Sequence, residues 1–518
     1  MNKLFKFLSE NEKFIKILLV FYTLYCAIVI GASWDEKYHQ LVGQINLKYL
    51  LSFGLIEESL YQKWRYSTLY WSLSSLFSQL TPEKYNLESY HVINAFFGLM
   101  TIVGFYHIVK KIFNKKIAKT SSVFLFFIPF FFGHFAINNK DILITFAHVW
   151  TVYYLIKYSL NQLNLKYKIT ILFKIAILTA LGSGIQLLFF GSLAPILIFF
   201  IFYLIMTKKK KLNEMVVDFV IYFVFFYTIL ILFWVDVHEN ILTLPFKYFI
   251  DSFSLGVGWP FNLTDEIYTS SQEVPNLYLL TNYFYKLPEF ILFLYLVSLP
   301  TIIFKFDQIC KNLDNFLKKI IFLTILLFFP NMILVFIAYP IYDGVRLFLW
   351  VTPYLVIIPA LTFILIVEGK SLLFRVSKVI LFVLFSFHIF NFIKITPYHY
   401  TFLNYLSGDV SKRYKKFEND YWSTSLKELI LSSNLTDKKI YYTVCGVSPG
   451  IAKTYMKQKY DNIEYTDYKS ATYAIMTNRT LYSEKNQSIS NCYDEYKFEN
   501  IAEVKRNGLI LSAIKKMK

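Results

Sequence analysis

Three short clusters in the chain carry side chains that can move protons or hold phosphate. The first is Asp35 and Glu36, in Gly31-Ala-Ser-Trp-Asp-Glu-Lys-Tyr-His39, directly after an apolar run. A carboxylate at the mouth of a membrane span can serve as a general base or bind a metal, and apolar walls raise its pKa toward a useful range. The plain alternative is that charged residues flank spans because they end them. The second cluster is the polar connection Asn138, Asn139, Lys140 and Asp141, preceded by Gly133-His134. Asp141 opens the next apolar run, where the helix dipole favours an anion, so an ordinary cap competes with a functional role. The third is Tyr342-Asp343-Gly-Val-Arg346, again just before an apolar run. Arg346 suits a headgroup phosphate through charge-assisted, bidentate bonds. It suits equally a cation snorkelling to the interface.

The elements that must position these clusters follow from composition. The chain has 518 residues, 56% hydrophobic and 20% aromatic, with a mean hydropathy of +0.44. A soluble domain averages about 45–50% apolar residues. The excess is gathered in runs of about 18 or more, the length that crosses the hydrocarbon. These runs predict a polytopic α-helical membrane protein of about 11 transmembrane helices. The spans fall near 14–33, 91–109, 118–137, 142–157, 169–186, 188–206, 217–236, 287–305, 319–338, 347–367 and 376–393. Gly182-Ser183-Gly184 and Gly191 leave open whether the fifth and sixth spans are one broken hairpin.

Lysines and arginines fall in every second loop, among them Lys110, Lys116, Lys119, Lys166, Lys211, Lys311 and Arg375. By the positive-inside rule the N-terminus is cytoplasmic and the tail extracytoplasmic. The three polar clusters then share the outer face. The same bias explains most of the formal charge of +18, and disfavours nucleic acid as a partner. The division expected is a transmembrane domain over 1–393, with outer loops 34–90 and 237–286, and a soluble domain over 394–518. The first loop is rich in Trp64, Tyr66, Tyr70 and Trp71 and reads as segments lying in the interface plane. In the tail, Ile440–Val444, Ala471–Thr477 and Leu509–Ile514 read as strands and Ser423–Leu431 as helix, hence a small α/β domain. Cys445 and Cys492 both lie there, as a disulfide or as two free thiols. No CxxC and no His/carboxylate set at metal spacing occurs, so no metal and no cofactor is expected.

In these residues the chain resembles membrane glycosyltransferases of the GT-C superfamily, in particular the dolichyl-phosphate-mannose–protein mannosyltransferases and the bacterial aminoarabinose transferases. The matching residues are Trp34-Asp35-Glu36 with His39, and Gly133-His134 with Asn138 to Asp141. Tyr342 to Arg346, Thr396-Pro-Tyr-His-Tyr400 with Asn404, and Phe417 with Asp420-Tyr-Trp422 complete the set. Asn139 stands where the family usually has Pro, and Gly184-Ile-Gln186 where it often has an Arg. The resemblance implies a GT-C-like fold in a bacterial cell membrane. It implies a polyprenyl-phosphate-linked sugar donor among the membrane lipids and an acceptor lipid, glycan or protein. It implies Asp35 as the base, helped or replaced by Glu36, with Asp141 orienting acceptor or sugar. Arg346 would hold the departing phosphate, with Lys63 or Arg65 as further candidates, and His39, His134, Asn138, Lys140 and Asp343 would line the substrate. Inversion through an oxocarbenium-like transition state is expected. Two other readings stay open: a polyprenyl-lipid transporter or flippase, and a non-catalytic lipid-binding scaffold.

Overall fold

A computed structural model describes residues 10–55, 66–160, 164–207, 211–253, 258–336, 340–483 and 487–517. Each predicted span coincides with helix. Seven described helices are long and apolar enough to cross a membrane, the first of them Glu83–Ile112 and the last Leu372–Lys394. Two bent pairs raise this to as many as nine if each is one span. Lys115–Phe126 and Pro129–Ile137 meet at 68°, Tyr278–Lys286 and Glu289–Phe304 at 114°. Prolines at Pro129 and Pro288 mark the bends, since proline supplies no amide to continue a helix through them. The remaining two predicted spans are the helices Glu12–Val29 and Asp141–Leu160. The first carries Glu12, Lys13 and Lys16. The second carries His148, Lys157 and several tyrosines, which dilute its apolar character.

Asp141–Leu160 runs through the protein core, with Thr145, Ala147, His148 and Val149 fully buried. The outer helices turn apolar side chains outward instead: Phe14, Ile17 and Phe21; Val216, Val220 and Val224; Val379, Phe382 and Val383. Continuous apolar exteriors of this kind need lipid as their solvent. Leu165–Ile185 and Phe189–Met206 form a hairpin of two helices, which settles the glycine-rich segment. A Cβ on Gly182 would stand 2.6 Å from the Phe189 ring, so the glycine lets the two arms close.

One end of the bundle gathers the basic loops. Lys119 pairs with Glu12 at 2.5 Å, Lys116 pairs with Glu368, and Lys378 donates to the Gly369 carbonyl at 2.8 Å. At the other end sits the tail. Its sheet has the order β4-β3-β5-β9-β8, formed by β3 (Ile440–Cys445), β4 (Ile463–Tyr465), β5 (Tyr473–Thr477), β8 (Asn500–Arg506) and β9 (Leu509–Lys516). β3 pairs parallel with β4 and β5, and β9 antiparallel with β5 and β8. β5 is buried along its whole length, as a central strand covered on both faces should be. β6 (Thr480–Ser483) and β7 (Ser488–Asn491) make a separate hairpin. The three expected strands and the expected helix, observed as Leu426–Ser432, are present. The helix Pro449–Lys459 and strands β4, β6, β7 and β8 had no expectation attached. Cys445 and Cys492 are joined in a disulfide, with Cα atoms 5.7 Å apart.

The two long loops are more structured than expected. The first forms helices Glu36–Leu51 and Leu69–Ser78. Tyr70 and Trp71 point inward, 3% and 1% exposed, which corrects the interface reading for them: Tyr70 donates to Asn94 at 3.1 Å. Trp64 lies outside the described residues. The second loop carries the hairpin β1 (Phe261–Thr264) and β2 (Ile267–Ser270), bridged to the tail at Thr264 and Phe417.

Candidate active site

The helix Glu12–Val29 ends one residue before Ile30, which is extended, and the chain then runs tightly under the tail. The Ala32 amide donates to the Tyr455 hydroxyl at 2.8 Å, and Ser33 Oγ donates to the Ile137 carbonyl at 3.1 Å. This turn starts Glu36–Leu51 and sets the two adjacent carboxylates on different faces. Asp35 is exposed, and its side chain makes no capping bond to the helix it precedes. Glu36 is 3% exposed and points away, accepting from the Ser33 amide at 3.0 Å and pairing with His91 Nε2 at 2.9 Å. His91 Nδ1 in turn donates to the Ala27 carbonyl at 2.9 Å. Glu36 is thus occupied in fixing the turn.

Asn138 organises the second cluster. Its Oδ1 accepts from the amides of Lys140 and Asp141 at 3.1 and 2.8 Å, and its Nδ2 donates to Asp141 Oδ2 at 2.9 Å. Asn138 therefore does the capping that sequence left to Asp141. The freed Asp141 carboxylate faces Arg346 Nε at 3.6 Å. Arg346 is 7% exposed, reaches Asp343 at 3.3 Å, and has the rings of Tyr342 and Trp422 each 4.9 Å from its guanidinium. Such stacking holds a guanidinium in place without consuming its N–H donors. Asp343 and Gly344 both adopt positive φ, +60° and +67°. At that φ a side chain on Gly344 would be strained, which favours glycine in this turn.

A cavity of about 220 Å³ opens among these groups. Ser33, Asp35, His39, Asn138, Asn139, Lys140, Asp141 and Arg346 give it a polar wall. Ile185, Leu187, Leu188, Phe253, Pro340 and Leu347 give it an apolar one. Gln186 and Trp422 line it too. Six of the expected site residues thus meet in one space: Asp35, His39, Asn138, Lys140, Asp141 and Arg346. Glu36, His134 and Asp343 do not line it. His134 Nε2 lies 3.2 Å from the Tyr421 hydroxyl of the tail. Lys63 and Arg65 lie outside the described residues.

Electrostatics follow burial. His39 is stacked on Trp71 at 4.9 Å, and burial together with Lys140 holds its pKa well below the ordinary value. The tail delivers Trp422 through a turn pinned by Asp420. That carboxylate accepts from the Ser425 and Thr424 amides at 2.9 Å each, from Ser425 Oγ and from Tyr400, and burial raises its pKa. Glu418 and Arg479, also from the tail, had no signal in the sequence. Arg479 bonds Asp343 and lies 3.5 Å from Glu418. Burial raises the Glu418 carboxyl against the pull of Arg479. Among the described residues no cluster of three or more His, Cys, Asp or Glu is placed to hold a metal.

Residues 69–234 match the model of a family described as dolichyl-phosphate-mannose-protein mannosyltransferase. No curated protein matches the chain in sequence. Among solved structures, ArnT from Cupriavidus metallidurans in the apo state is similar at a TM-score of 0.50 and 10% identity, over 97% of this chain and 98% of that one. The same protein bound to undecaprenyl phosphate scores 0.47 at 11% identity, over 96% and 97%. The oligosaccharyltransferase AglB from Archaeoglobus fulgidus, with an inhibitory peptide and a dolichol-phosphate, scores 0.47 at 10%, over 97% and 76%. Of the three only the first reaches 0.50, and the fold similarity rests on it. The chain thus shares the fold of ArnT and, over residues 69–234, the sequence pattern of that mannosyltransferase family.

Proposed function

We propose that the protein moves a sugar from a polyprenyl-phosphate carrier to an acceptor hydroxyl, at a site where Asp35, Asp141 and Arg346 face one cavity. The observation that carries this reading is that cavity's two-sided lining. Its apolar wall suits a prenyl chain, and its charged wall suits a phosphate and a reacting sugar. Asp35 is the base: it takes the acceptor's proton as the acceptor oxygen bonds the anomeric carbon. The bond from that carbon to the phosphate oxygen breaks, and the electron pair leaves with the polyprenyl phosphate. Arg346 holds the phosphate as its charge grows. Asp141 sets the angle of Arg346, and neutral His39 contacts the sugar. In-line attack inverts the anomeric centre. Glu36 positions Asp35 through the turn and does not replace it. The basic end of the bundle faces the cytoplasm, and the tail and cavity face outward from a bacterial cell membrane.

The test is transfer by purified full-length protein from a panel of polyprenyl-phosphate sugars to membrane acceptors, beside Asp35→Asn. Removing a general base should lower kcat by about 10²–10⁴-fold. Donor that binds but is never consumed would favour a flippase or lipid-binding scaffold instead.

A further inference from the structure

A buried chain of charges runs from the cavity into the tail. Arg346 stands between two carboxylates, Asp141 at 3.6 Å and Asp343 at 3.3 Å. Two such neighbours over-neutralise one guanidinium and oppose the approach of a phosphate. Asp343, however, is shared. One oxygen faces Arg346, and the other bonds Arg479. Among the described residues, Arg346 Nε is buried and makes no hydrogen bond.

Arg479 is held firmly enough to do this. It sits in the turn between β5 and β6. Its neighbour Asn478 donates to the carbonyls of Tyr414 and Phe417 at 2.8 and 2.7 Å and accepts from the Asn419 amide at 2.8 Å. The Cys492 amide donates to the Arg479 carbonyl at 3.0 Å. The guanidinium lies 4.3 Å from the Trp259 ring centre, and the side chain is 4% exposed.

We propose that Arg479 is a positioning residue of the cavity, taking one oxygen of Asp343 and part of its charge so that Arg346 is available to a lipid phosphate. The tail then belongs to the donor site rather than merely covering it. This rests on the reading of the cavity as a polyprenyl-phosphate site. The same contacts in a purely structural role would only fasten the tail to the bundle, and the two roles differ in sign when charges are removed in pairs.

The experiment titrates undecaprenyl phosphate onto full-length protein in detergent, followed by native mass spectrometry, with thermal melting as the check on folding. Arg479→Gln should weaken binding about ten-fold. Arg479→Gln combined with Asp343→Asn restores the local charge and should recover most of that loss, as should Arg479→Lys. Asp343→Asn alone should bind as well as wild type or better, which keeps the test alive if Arg479→Gln does not fold. A double variant as weak as Arg479→Gln, or weaker binding by Asp343→Asn, overturns the positioning role alone. Wild-type protein that binds no polyprenyl phosphate overturns this inference and the functional reading together.

Discussion

Two adjacent carboxylates have opposite fates, and this separates their mutations. Asp35 and Glu36 are about 100° apart around a helix start, so one can face the cavity only if the other faces inward. The sequence showed the pair but not which member turns out. That choice is made by Ser33 and His91, which lie 3 and 55 positions from Glu36. Glu36→Gln breaks a buried pair and should cost about 3 kcal/mol of stability. Asp35→Asn should leave the melting temperature near that of wild type. Equal melting of the two variants would contradict this division. His39 makes a second prediction. Its folded pKa lies well below 6.5, so the unfolded chain takes up a proton there that the folded chain refuses. Stability is therefore complete above 6.5 and falls as pH drops below it. His39→Gln should lose less stability than wild type between about pH 7.5 and 5.5, as read by thermal melting.

Helices were legible because a run of apolar residues is both the signal and the cause of a span. What lay beyond reach was direction: the 68° and 114° bends arise where proline meets close packing, and run length carries no angle. Burial of Tyr70 and Trp71 was hidden for a related reason, since an aromatic stripe serves a lipid interface and a protein neighbour equally well. The start of Asp141–Leu160 shows how an element sets a site. Asn138 satisfies two amides there and holds the Asp141 carboxylate toward Arg346. Asn138→Ala should lose about 1 kcal/mol of stability, the worth of a cap. Because Asp141 loses its aim as well, donor kcat/KM should fall further than that stability loss explains. Asn138→Ser keeps an accepting oxygen for the cap but offers no amide to hold the Asp141 carboxylate, so it should restore melting without restoring kcat/KM.

At the scale of the molecule, the sequence separated a membrane part from a tail but could not show that they share a site. Trp422 reaches the cavity, and Arg479 the Asp343 carboxylate beside Arg346, only through contacts that join positions far apart in the chain, and no local pattern announces such contacts. The disulfide sits at this junction. Cys445 leads into Gly446, whose carbonyl accepts from Thr477 Oγ1 at 2.8 Å and Ser423 Oγ at 3.2 Å. Cys492 bonds the Arg479 carbonyl through its amide. The cystine therefore clamps both the β5–β6 turn and the turn that bears Trp422. Closing 47 residues is worth about 4 kcal/mol in the chain-entropy model. Cys445→Ser with Cys492→Ser, or reduction of the native protein, should lower the melting temperature. It should also weaken undecaprenyl phosphate binding, because Arg479 then wanders from Asp343. Reduced protein that melts lower yet binds the lipid phosphate as tightly as before would mean that the tail's stability and the cavity's charge balance are independent. Weakened binding that Asp343→Asn rescues would tie the tail's redox state to donor capture through a single carboxylate.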